Sequence, residues 1–106
     1  MNQQIKLKWY RYVAAFFAGM FLANFIPHFV QGISGNAFPS PFGNPPGRGS
    51  SSATSNVLWG VLNLVIGYLL YRASKLDRTQ RLALLIFLLG ITAQGVMLSL
   101  AFSHKI

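Results

Sequence analysis

The chain has 106 residues, 53% of them hydrophobic, with nine lysines and arginines against one aspartate, no glutamate and no cysteine. Those counts exclude disulfides, thiol chemistry and thiolate metal sites, and they remove paired-carboxylate catalysis, carboxylate metal clamps and acidic proton relays. The net charge of +8 would suggest nucleic acid in a soluble protein, but here the cations form no face; they stand in short clusters at the ends of apolar runs, where they set membrane orientation and meet anionic lipid, so no nucleic-acid partner is expected.

The length bounds a single domain, residues 1–106. Met1 to Arg11 carries Lys6, Lys8 and Arg11 among Trp9, Tyr10 and Tyr12, a mixture of cations and amphipathic rings suited to a membrane–water interface. A basic start before an apolar run also describes a signal peptide, with a weak cleavage site at Gly32-Ile33-Ser34. The run from Val13 to Val30 exceeds an h-region of about 7–15 residues, so an uncleaved first span over about 12–30 is expected. Ala15, Gly19 and Ala23 stand four apart on one face, a small-residue ladder for close helix packing. Pro27 lacks a backbone donor and is expected to kink or end the helix.

A loop over 31–53 follows, then a second span over about 54–71. Asn56, Gly60, Asn63 and Gly67 recur there at helical period, a small and polar stripe for packing. Trp59 belongs to one interfacial belt, Tyr68 and Tyr71 to the other. The turn 72–81 holds four cations, Arg72, Lys75, Arg78 and Arg81, beside the single acid. Asp77 with Gln80 three residues on reads as a capping box for the third helix, with a surface pairing to Arg81; a functional carboxylate is the alternative. The third span covers about 82–102, with Gly90, Gln94, Met97 and Ala101 on one side and Thr92, Gly95 and Ser99 on another.

Lys6, Lys8, Arg11 and the four cations of the turn lie on one side of the membrane; Arg48 alone and Lys105 alone lie on the other. The positive-inside rule then sets the N-terminus and the 72–81 turn in the cytoplasm, and the loop and C-terminus outside.

Helical rise sets the height of the polar residues. Asn24 stands about 18 Å from Tyr12, and Gln94 is at a similar distance from the start of its span. Asn63 lies about 9–13 Å below the start of the second span. Each helix therefore offers one amide to the same layer in the outer half, with His28, Gln31 and Asn56 near it and Ser99 and His104 at the outer end of the third helix. Two readings stand: interhelical hydrogen bonding, or an outward-facing polar pocket roofed by the loop. Two histidines, His28 and His104, near one surface invite a metal or haem, but there is no third ligand, acidic second partner or haem-attachment motif, so no metal and no cofactor are expected. His28 is the best candidate base, without an acid to orient it.

The loop is not a flexible linker. Phe38-Pro39-Ser40-Pro41-Phe42 is stiff and apolar, and Asn44-Pro45-Pro46-Gly47 is a turn sequence. It is expected to fold back over the helix ends as a cap beginning at Pro27, leaving Gly47 to Ser52 as its mobile part. The run Pro27-His28-Phe29-Val30-Gln31-Gly32-Ile33-Ser34-Gly35, with Phe38–Phe42, Pro45-Pro46-Gly47 and Asn56–Gly60, resembles a group of small bacterial three-span membrane proteins of unknown activity. The resemblance covers about residues 24–70. It implies a bacterial cytoplasmic-membrane setting, and no catalytic or ligand residue is carried over from it.

The expected fold is an all-α bundle of three transmembrane helices with a long, semi-ordered outer loop between the first two. The expected role is that of a non-enzymatic membrane subunit or interaction module. Its partners are membrane lipids, with Arg72, Lys75, Arg78 and Arg81 on anionic headgroups, and a homo-oligomer or larger complex. An oligomeric transporter or channel for a neutral or anionic solute is the first alternative, and a lipid-handling protein the second.

Overall fold

The computed structural model describes residues 8–103; the expectations for Lys6, His104 and Lys105 lie outside the described residues. Three helices dominate: α1 (Trp9–Ile33), α2 (Ala53–Ser74) and α3 (Arg81–Ser103), with a two-stranded ribbon, β1 (Phe38–Pro39) and β2 (Ser50–Ser51), between α1 and α2. Each helix is long and apolar enough to cross a membrane. At 25, 22 and 23 residues, all three extend beyond the expected spans, and the turn between α2 and α3 shrinks to residues 75–80.

Pro27 does not end α1, which runs on to Ile33. The lost hydrogen bond is offset by tertiary packing of the turn that follows: His28 and Gly32 are both buried. A Cβ at Gly32 would come within 2.8 Å of the Ala53 carbonyl, so only glycine allows the end of α1 to lie this close to the start of α2. The helix stops instead in a Schellman motif, with Gly35 at φ +78°, its N–H on the Gly32 carbonyl at 3.0 Å and the Asn36 N–H on the Gln31 carbonyl at 2.9 Å. Ser52 opens α2 as its N-cap, accepting from the Ser55 N–H at 3.1 Å.

The turn before α3 also departs from expectation. Gln80 reaches back to the Asp77 N–H at 3.2 Å, one half of a capping box. The Asp77 carboxylate, however, accepts from the Thr79 hydroxyl and the Thr79 N–H rather than capping α3 or pairing with Arg81. Asp77 thus closes a tight turn one step ahead of the helix, which begins at Arg81.

The first helix is the hub. It packs along both α2 and α3, while those two scarcely approach each other beyond a Tyr71–Phe87 ring contact at 5.8 Å. Glycines set the spacing on both sides. A Cβ on Gly90 would collide with the Phe16 carbonyl, and one on Gly19 with the Phe87 carbonyl. A Cβ on Gly60 or Gly67 would press on Phe29 and Leu22 respectively. Of the α1 ladder, Ala15 and Gly19 are buried and Ala23 is half-buried.

Burial is inverted relative to a water-soluble domain. The fully buried side chains are small or polar: Ala15, Ala18, Ala83, Asn56, Asn63 and Ser74. The large apolar side chains point outward, with Leu58 66% and Leu100 62% exposed. Hydrocarbon supplies no hydrophobic force between helices, so small residues and hydrogen bonds make the contacts and leucines face the solvent-equivalent lipid.

Candidate functional site

The polar residues of the helices gather in two clusters. The first spans all three helices at one height. The Gln94 Nε2 donates to Asn24 Oδ1 at 2.9 Å, Asn24 Nδ2 donates to Asn63 Oδ1 at 3.0 Å, and Asn63 Nδ2 donates to the Trp59 carbonyl at 2.7 Å. Asn24 on the hub helix is the link, bonded to Gln94 of α3 on one side and to Asn63 of α2 on the other. This relay floors a groove of about 180 Å³ whose walls are Phe17, Met20 and Phe21 of α1. Asn63 is fully buried, whereas Asn24 and Gln94 are half-buried and open to the groove.

The second cluster lies one turn nearer the loop. His28 Nδ1 and Asn56 Oδ1 are 2.8 Å apart, and both residues are buried. The Asn56 Nδ2 faces the carbonyls of Phe38 at 3.0 Å, Ser51 at 3.2 Å and Ser52 at 3.0 Å, with Ser51 Oγ at 3.0 Å. That ring of acceptors decides which end of the amide is which, so the amide oxygen must face His28. Nδ1 therefore carries a proton and donates, and in the neutral ring Nε2 is the basic nitrogen. The imidazole stands edge-to-face on Phe38 at 5.4 Å and on Trp59 at 6.4 Å. Phe38 in turn contacts Phe102 of α3 at 4.9 Å, so the loop touches all three helices here.

The loop is built from this clasp outward. Asn56 holds both strands, β1 through Phe38 and β2 through Ser51, and the strands pair antiparallel with Phe38 opposite Ser51. Buried Ser40 bonds Ser51 Oγ at 2.6 Å and accepts from the Phe42 N–H at 3.1 Å, while its carbonyl takes the Gly47 N–H at 2.8 Å. The segment expected to be mobile, Gly47 to Ser52, thus contains the second strand. Phe42 remains 65% exposed and stands edge-to-face on Trp59 at 5.6 Å. With Ser55, Leu58 and Leu62 these two rings line an open apolar groove of about 280 Å³. The Trp59 Nε1–H is buried and has no hydrogen-bond partner among the described residues, a deficit of about 1–3 kcal/mol.

Gln31, expected beside Asn24 and His28, is not in either cluster; its side chain accepts from Asn36 Nδ2 at 2.9 Å beyond the end of α1. On α3, Thr92 and Ser99 direct their hydroxyls to their own helix, at the Leu88 and Val96 carbonyls. Arg72, Lys75, Arg78 and Arg81 are all exposed at the turn end. Arg72 lies over the Tyr68 ring and bonds its hydroxyl at 3.2 Å, and Lys75 caps α2 at φ +54°. Among the described residues no three His, Cys, Asp or Glu side chains are grouped as a metal would need.

No protein-family model, no curated protein and no solved structure matches the chain significantly. Its class rests on its own geometry: three candidate membrane spans with small and polar residues inside and leucines outside define a multi-pass helical membrane protein.

Proposed function

We propose that this protein is a non-enzymatic subunit or interaction module of a bacterial cytoplasmic membrane, a three-helix bundle with its N-terminus and 75–80 turn in the cytoplasm and its loop and C-terminus outside. The observation that carries the role is the clasped loop. A segment tied by Asn56 to both strands presents exposed Phe42 braced on half-buried Trp59, a preformed aromatic surface that suits a protein contact because little ordering entropy remains to be lost. The small-residue faces support contacts within one chain, since Gly19, Gly60, Gly67 and Gly90 are all occupied by neighbouring helices. A homo-oligomer would therefore use the loop face or the outer leucines.

The cation distribution supports the orientation, and the loop's resemblance to small bacterial membrane proteins supports the setting. Arg72, Lys75, Arg78 and Arg81 serve as anionic-lipid contacts at the inner surface. The transporter reading is weakened by the amides, which bond one another inside a single chain rather than lining a path.

The chain has no cysteine, so single-cysteine labelling tests topology cleanly. A cysteine replacing Asn44 should react with an impermeant maleimide on intact cells, and one replacing Thr79 only after permeabilisation; the reverse pattern overturns the orientation. In native gels the chain should migrate within a larger assembly that Phe42→Ala shrinks. Migration of the unaltered protein at the size of a single chain would end the subunit reading.

A further inference from the structure

The amide relay has hydrogen-bonding capacity left over. Asn24 Nδ2, Asn63 Nδ2 and Gln94 Nε2 each make one hydrogen bond and carry two protons, and Gln94 Oε1 has no bond among the described residues. Asn24 lies about 22 Å along α1 from Trp9 and about 14 Å from Ile33, well inside a hydrocarbon core of about 30 Å. Water is scarce there, and a lipid acyl chain offers these groups no partner. None of the six residues lining the groove is ionisable, so a charged occupant would meet no counter-charge. Two phenylalanines and a methionine wall the space, and its volume of about 180 Å³ exceeds the roughly 150 Å³ that accommodates a benzene ring.

We infer that this groove binds the head of a prenyl-quinone-type lipid, a neutral six-membered ring bearing carbonyl oxygens. The carbonyls accept from the spare amide protons of Asn24 and Gln94, and Gln94 Oε1 accepts from a ring hydroxyl when the lipid is in its quinol form. Phe17, Met20 and Phe21 contact the ring, and the tail leaves sideways into the bilayer, since Phe17 is exposed at the rim. The site binds; no electron transfer is assigned to it. The inference rests on the membrane reading of the chain and goes beyond it.

Trp59 sits one helical turn from Asn63 and gives its carbonyl to the relay, so its fluorescence reports on the groove. A Trp9→Phe protein, with Trp59 as the only tryptophan, is reconstituted into phospholipid nanodiscs and titrated with decylubiquinone. Saturable quenching is expected, insensitive to decylbenzene, which has the ring and tail without the carbonyls. Gln94→Leu should raise the half-saturating quinone about tenfold with helical circular dichroism unchanged. Met20→Phe, which narrows the groove and leaves every amide in place, should weaken quenching as well and decides the matter if Gln94→Leu does not fold. Linear quenching in the unaltered groove, equal competition by decylbenzene, or unchanged quenching in the folded variants overturns the quinone site while leaving the membrane reading intact. Failure of the chain to insert into nanodiscs at all would overturn both.

Discussion

The two polar clusters use the same side-chain types to opposite ends. In the clasp, Asn56 is 0% exposed and its amide faces backbone carbonyls on both strands of the loop and at the start of its own helix, with His28 closing the remaining side. In the relay, three amides meet mainly one another, two of them are half-buried, and an oxygen and several protons are left over. An asparagine that bonds main chain from several segments is committed to holding those segments. An asparagine that bonds other side chains can reorient with them and keep a valence for something else. The clasp is thus read as architecture and the relay as the place where a ligand can be accommodated.

The largest effect is expected at the clasp. Asn56→Leu leaves the buried His28 Nδ1–H without its acceptor and removes the amide's bonds to the Phe38, Ser51 and Ser52 carbonyls; at about 1–3 kcal/mol for the unsatisfied group and about 1 kcal/mol for each bond lost, a loss of about 3 kcal/mol or more is expected in detergent unfolding, with residues 40–49 becoming protease-sensitive. Resistance of that segment equal to the parent protein would show that the strands hold themselves. Gly90→Val should cost about 2 kcal/mol by pushing α3 off the Phe16 carbonyl, opening the relay at Gln94 while the clasp keeps the loop protected. If the loop loosens in step, the clusters are one cooperative unit. Asn63→Leu should cost only about 1 kcal/mol, because Asn24 keeps Gln94 and hydrogen bonds between membrane helices average about 0.6 kcal/mol. An effect as large as that of Asn56→Leu would erase the distinction.

The smallest expected effect is at the exposed turn. Asp77 is held below the usual carboxylate range by the Thr79 hydroxyl first and the Thr79 N–H second. A depressed folded value means that this contribution to stability is present above the unfolded pKa of about 3.9 and disappears as pH falls through the lower folded value. Thr79→Val should move the carboxyl back up, and as the only carboxylate side chain it can be followed by NMR titration without ambiguity. An unmoved titration would mean that the backbone bond alone sets it.

Helix count and amide heights were legible because both follow from hydropathy and a fixed rise per residue. The stripe Asn56, Gly60, Asn63, Gly67 is periodic, and all four are buried. Continuation through Pro27 was not legible, since the packing that offsets the missing bond comes from Ala53 and Val57, more than twenty residues away. Nor was the ribbon, because pairing Phe38 with Ser51 leaves no local periodicity in two-residue strands. Asn56 and Asn63 looked equivalent along the helix; only the loop folded over one of them separates their roles. Asp77 and Gln80 fit a capping spacing, and Thr79 between them diverted the carboxylate.

The hub arrangement has a consequence for how the chain is made. Of the three helices, α1 leaves the ribosome before the two that both pack on it, and neither of those needs the other as a docking surface. Each contact can therefore form as soon as its second partner enters the bilayer, in the order of synthesis, with no helix held waiting for one not yet translated.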